Sequence, residues 1–254
     1  MPQSMHSNPL PPRSPPRSET LIIGPGEPME SARHRQQMEV LVQSLDWAWR
    51  DRRDYYAAAD MFLYFSETQA RKNDFRGPDV MVVLGTDRHE RRVWVVWEED
   101  GKTPDVIIEL LSESTEHVDR GEKMRIYAKL KVGEYFLFDP WSGVFEGYML
   151  DPLHGEYRRK DLDANGRAHC AQLGLWLGKA KSVLHGVEVD WLRWMDADGK
   201  VLPVPEESAD EAIESLTTLT ERAKVEAERA DRLQAERDRL EAELARVRGK
   251  PGPE

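Results

Sequence analysis

Residues 104–111 read PDVIIELL, and residues 78–84 read PDVMVVL. Proline neither continues a helix nor donates to a sheet ladder, so each stretch starts a strand at its proline. Each then runs apolar without alternation, the mark of a strand covered on both faces. Glu109 interrupts the second run. A carboxylate inside an apolar strand is expensive unless it is paired or binds a cation. These two stretches therefore set the middle of a sheet and mark a place where chemistry is concentrated.

Other elements arrange themselves around this pair. Val93–Trp97, Tyr135–Phe138, Gly147–Leu150 and the short run Met61–Phe65 read as further strands. Met38, Leu41, Val42, Leu45 and Trp49 recur at spacings of three and four, so residues 32–53 read as an amphipathic helix. A second helix is expected between Leu111 and Tyr135, with Asp119 as N-cap, Glu122 as its capping partner and Gly133 as the stop. Leu173–Leu177 and Val187–Met195 suggest a peripheral β layer, with a turn at Asp196–Gly199 separating the last two strands. The expected fold is α/β (α+β): a mixed β-sheet core, its strands joined mostly by hairpins, flanked by helices. It occupies residues 21–204.

The flanks differ in composition. Residues 1–20 are rich in Pro and Ser, have no apolar stretch, and are expected to be a disordered tail. From residue 205 to 248 the chain turns to Ala, Glu, Arg and Leu. Leu216, Leu219, Ala223, Ala230, Leu233, Leu240, Leu244 and Val247 fall on alternating spacings of three and four, with Glu226 and Arg237 in the two remaining seam positions. This heptad pattern predicts a coiled-coil helix, most simply of a homodimer. Residues 249–254 form a second tail.

Of 254 residues, 39% are hydrophobic and eight are Trp, which excludes a wholly disordered chain. No apolar run is long enough for a membrane span. With the lone Cys170 there is no disulfide framework, and a cytoplasmic protein is expected. The net charge of -11 argues against strong indiscriminate DNA binding. Five of those charges belong to the segment after residue 204, so the core is acidic too.

No HExxH, Walker, GxGxxG or GxSxG motif is present. The informative groups are carboxylates. Asp105 and Glu109 lie on one strand face but about 13 Å apart, too far to share one ion. Asp79 opens the other buried strand and can lie opposite Glu109 if the register allows. Lys123 is the available cation, with Asp119 and Tyr127 each four residues away on its helical face.

These residues carry a resemblance. Residues 78–140, from PDVMVVL through PDVIIELLSEST, Asp119, Lys123 and Tyr127 to EYFLFDP, resemble the restriction-endonuclease-like proteins expanded in cyanobacteria (Uma-two type), of the PD-(D/E)XK nuclease superfamily. The similarity spans about residues 35–200. It implies a restriction-endonuclease-like core and a metal-dependent DNA endonuclease. It also implies Asp79 and Glu109 as ligands of Mg²⁺ or Mn²⁺, with Lys123 completing the catalytic set. Leu111 stands where the superfamily places its lysine, so Lys123 is the replacement. LKVGEYF departs from the Gly-Val-Arg-Glu-Tyr order of relatives. Arg50, Arg52 and Arg53, then Arg88, Arg91 and Arg92, then Lys123, Arg125, Lys129 and Lys131, are the basic clusters available for weak, salt-sensitive DNA contacts. Two alternatives stand beside this reading. One is a catalytically degenerate nuclease fold assembled through its coiled coil; the other is a metal-dependent hydrolase of a different phosphoester.

Overall fold

The computed structural model describes residues 31–71, 76–112, 115–184 and 186–248. The expected tails at 1–20 and 249–254 lie outside the described residues. The chain divides into a body ending at Val204 and a long helix from Pro205.

Helix α1 (Ala32–Ala48) opens the body, with the Ser31 hydroxyl accepting from the His34 amide. Strands β1 (Tyr55–Ala59) and β2 (Leu63–Tyr64) follow, then the short helix α2 (Glu67–Arg71). Next come β3 (Val80–Leu84), β4 (Trp94–Val95), a 3₁₀ turn at Val96–Glu98, and β5 (Val106–Leu110). A broken helix then consists of α3 (Glu116–Val118), a π-helical turn at Asp119–Lys123, and α4 (Met124–Lys129). Strands β6 (Glu134–Phe138), β7 (Phe145–Asp151), β8 (Glu156–Arg159), β9 (Ala168–Cys170), β10 (Leu175–Leu184) and β11 (Val187–Met195) complete the body.

The main sheet has six strands in the order β1-β3-β5-β6-β7-β8. Only β5 and β6 are parallel in it, joined by the broken helix; every other neighbour pair is antiparallel. A parallel pair needs such a crossover, and the broken helix supplies it. A three-stranded antiparallel layer, β9-β10-β11, and the two-stranded parallel pair β2-β4 complete the body. The fold is thus α+β with a mixed sheet, as expected.

Side chains of a strand alternate between faces, and the central strands bury both. One face presents Val80, Val82, Val106, Ile108, Phe136 and Phe138 to Leu41 and Leu45 of α1 and to Leu177, Leu192 and Trp194 of the second layer. Gln37 fixes that packing by exchanging two hydrogen bonds with the backbone of Leu192, both 2.9 Å. The opposite face presents Met81, Val83, Ile107, Leu111 and Leu137 to an apolar layer that includes Tyr127 and Trp94. Each large apolar side chain enclosed this way contributes about 1.5–3 kcal/mol.

Several local expectations are corrected. The first helix stops at Ala48, five residues short of Arg53, because the chain must turn into β1. Strand β1 reads YYAAA without polar alternation and was not expected; it is held by pairing with β3. Strands β8 and β9 were also unforeseen. Asp119 is not an N-cap: Thr115 precedes the first helical residue, and Asp119 is buried within the π turn. Gly133 does not stop the helix. The chain leaves α4 through Leu130, and Lys131 takes the left-handed φ of 61°. The turn at Asp196–Gly199 does not separate two long strands; it folds the end of β11 back to a bridge between Met195 and Val201.

The second unit is one uninterrupted helix, α5 (Pro205–Arg248). Among the described residues, no helix is long and apolar enough to cross a membrane.

Candidate active site

The pairing of β3 with β5 builds the site. Val80 lies opposite Ile108 in an antiparallel register, so the next residues outward, Asp79 and Glu109, are neighbours. The two then exchange polar contacts across the strands. The Asp79 amide donates to Glu109 Oε2 at 3.2 Å, and the Leu110 amide donates to Asp79 Oδ2 at 2.5 Å. The structure thus places Asp79 and Glu109 side by side.

Glu109 sits on the face that carries Ile107 and is fully enclosed. Tyr127 of α4 donates its hydroxyl to Glu109 Oε1 at 2.8 Å. Lys123 places Nζ 3.1 Å from Glu109 Oε2 and 2.8 Å from Asp119 Oδ1. Asp119 Oδ1 is buried without an aligned hydrogen-bond donor, so the charge of Lys123 is its partner. Burial pushes the Glu109 carboxyl up, and the charge of Asp119 adds to the rise; Lys123 and the Tyr127 hydroxyl offset only part of it. Burial disfavours the Lys123 ammonium, but Glu109, Asp119 and Asp79 together outweigh that and hold it above the usual lysine range.

Lys123 is the last residue of the π turn. A π turn re-aims the residues after it and is frequent at functional sites. Tyr135 of β6 donates its hydroxyl to the Asp119 carbonyl at 3.0 Å. Arg120 reaches Glu116 and, on β7, Glu146, each at 2.7 Å. The turn is therefore pinned to two sheet strands. The spacing of four between Asp119, Lys123 and Tyr127 was the sequence signal for this cluster. What it did not disclose was that Asp119 and Tyr127 both act on the Glu109–Lys123 pair.

Leu111 occupies the same strand face as Glu109, two residues on, and is buried in the apolar cluster of that face. No cation is possible there without a large desolvation penalty. Asp105 is elsewhere: its Oδ2 accepts from the Leu84 amide at 2.7 Å and secures the start of β5.

The basic clusters divide. Arg91 is enclosed, bonded to Glu99 and Asp87 and stacked against Tyr56 and Trp94, so it is a structural residue. Arg52 is paired with Asp54 and stacked on Trp49, and Arg88 is paired with Asp46. Arg125, Lys129 and Lys131 are exposed near the Lys123 helix.

Among the described residues, no group of three or more His, Cys, Asp or Glu side chains is arranged to hold a metal ion. The Asp79–Glu109 pair nevertheless fits Mg²⁺ in kind, since that ion takes hard oxygen donors and is commonly held by one or two carboxylates plus waters.

No curated protein matches the chain. Among solved structures, it is similar to the crystal structure of "a putative nuclease belonging to DUF820" from Anabaena variabilis, at 16% identity and a TM-score of 0.42, covering 57% of this chain and 75% of that one. The sequence profile of a family described as "Uma2: Putative restriction endonuclease" matches residues 16–178, a span that contains Asp79, Glu109, Asp119, Lys123 and Tyr127. With well over half its length matched, the chain belongs to the Uma2 family.

Proposed function

We propose that the protein is a metal-dependent endonuclease that hydrolyses phosphodiester bonds of DNA. The observation that carries this reading is the arrival of Lys123 from a helix, 3.1 Å from a strand carboxylate that is laced to Asp79. A buried Glu–Lys pair adds little to stability, so a purely structural benefit does not explain it.

Asp79 and Glu109 would hold Mg²⁺ or Mn²⁺. When bound, the ion supplies Lewis-acid polarisation of a phosphoryl oxygen and lowers the pKa of a water. The chain's own groups do the rest. Lys123 stays protonated between its carboxylates, so it acts as a fixed cation facing charge that develops on the phosphate, not as a base. Tyr127 and the Asp79 amide orient Glu109. Exposed Arg125, Lys129 and Lys131 offer contacts to the DNA backbone that salt would weaken.

Incubation of the protein with plasmid and linear DNA in Mg²⁺ or Mn²⁺, beside a Glu109→Ala variant, tests this. Nicking or cleavage that disappears in the variant is the expected result. Absence of cleavage together with absence of metal binding by calorimetry overturns it. That outcome would favour a second reading, a catalytically inert nuclease fold, for which Leu111 in the usual lysine position and the full hydrogen bonding of Glu109 speak.

A further inference from the structure

We propose that α5 binds α5 of a second copy in antiparallel orientation, in a register that sets Glu226 against Arg237 of the partner. The inference is independent of any catalytic activity.

The helix is unbroken over 44 residues, about 66 Å at 1.5 Å per residue. Its heptad seam has Leu216, Ala223, Ala230, Arg237 and Leu244 at one set of core positions and Leu219, Glu226, Leu233 and Leu240 at the other. The five leucines of this seam are each 53–64% exposed on α5. A leucine seam of that length is the pattern that a partner helix covers.

Charge decides which helix and which way round. In a parallel, in-register pair each layer meets itself. Glu226 would face Glu226 and Arg237 would face Arg237, inside the seam where like charges cost most. Glu236 would also flank Glu241 of the partner at the rim.

Antiparallel pairing removes every one of these conflicts. Place Ala230 against Leu233 of the partner. The same register then sets Ala223 against Leu240 and Leu219 against Leu244, so small residues meet large ones. It also sets Glu226 against Arg237, twice by symmetry. The rim positions before each first-set core residue are Arg222, Arg229, Glu236 and Glu243. In this register Arg222 faces Glu243 and Arg229 faces Glu236, again twice. Two seam charges that look like defects in one strand thus become a device that fixes orientation and register. The complementarity is between α5 and itself, which selects a second copy as the partner.

The test uses the full chain. Light scattering of wild-type protein at tens of micromolar is expected to give a dimer. Glu226→Arg, which places two arginines in one layer, is expected to weaken the dimer about tenfold or more. Adding Arg237→Glu is expected to restore it. Orientation is read separately by spin-label distances at Glu221→Cys and at Arg232→Cys, the buried Cys170 being protected. Antiparallel pairing places the two 221 labels about 31 Å apart along the axis and the two 232 labels nearly level. The 221 distance should therefore exceed the 232 distance by about 15–20 Å. A monomer, equal distances at the two sites, or a dimer indifferent to Glu226→Arg each overturns the proposal.

Discussion

Asp79 and Glu109 each bond to the other's strand: the Asp79 amide donates to Glu109 Oε2 at 3.2 Å, and Asp79 Oδ2 accepts from the amide of Leu110 at 2.5 Å. The side chain of each residue thus completes the ladder that the other strand leaves open beyond Val80 and Ile108. The consequence is that two carboxylates are held beside one another by backbone groups, which cannot titrate or swing away.

Asp79→Asn keeps an oxygen for the Leu110 amide while removing the charge. Its thermal midpoint is expected to stay within about 3 °C of wild type, with cleavage reduced about 100-fold or more. Asp79→Ala should lose the hydrogen bond as well and cost about 1–3 kcal/mol in denaturant unfolding. Full activity in the Asn variant would remove Asp79 from the site.

Tyr127→Phe deletes the hydroxyl that Glu109 Oε1 accepts from, inside a fully enclosed environment. A buried acceptor left without its donor costs about 1–3 kcal/mol. The denaturation midpoint should fall with an unchanged m-value. A shift under about 0.5 kcal/mol would show that the contact carries no weight.

Leu111→Lys puts a lysine where the wider nuclease superfamily has one. Here that position is buried in the apolar cluster that also holds Tyr127, so the ammonium loses its water. We expect a loss of about 3 kcal/mol or more and no gain in cleavage. A stable, more active variant would mean that the site can accept the superfamily arrangement.

Glu134 makes stability depend on pH. Burial alone would raise its carboxyl, but the Cys170 thiol, Lys160 and the Gln172 amide outweigh burial and hold it below the ordinary glutamate range. A depressed native pKa contributes stability that is present above the ordinary glutamate pKa and lost as pH falls through the lower native one. Unfolding curves of wild type and Glu134→Gln between about pH 7 and pH 3 should converge on the acid side. Glu109 acts in the opposite sense, because its raised carboxyl destabilises the native state as pH rises through its titration. Parallel curves for the two proteins would sink the assignment to Glu134.

Much of the scaffold was legible in the chain. The two Pro-Asp-Val strands, the helix rich in Leu41 and Leu45, and the long heptad helix follow from short-range periodicity, which depends only on neighbours in sequence. Strand β1 was illegible because YYAAA carries no alternation, and its strand character comes from pairing with β3. The π turn was equally hidden, and the contacts that pin it, Tyr135 to Asp119 and Arg120 to Glu146, join residues distant in sequence.

The sequence by itself determined that Glu109 lies within an apolar strand and that Lys123, Asp119 and Tyr127 share a spacing of four. Tertiary structure alone decided that Glu109 meets Asp79, Lys123 and Tyr127. The antiparallel register of β3 and β5 sets the two carboxylates side by side, and Lys123, the last residue of the π turn, reaches Glu109. Periodicity fixes which side of one element a residue occupies. Which elements then face each other depends on long-range pairing, and that is settled only when the whole apolar core closes.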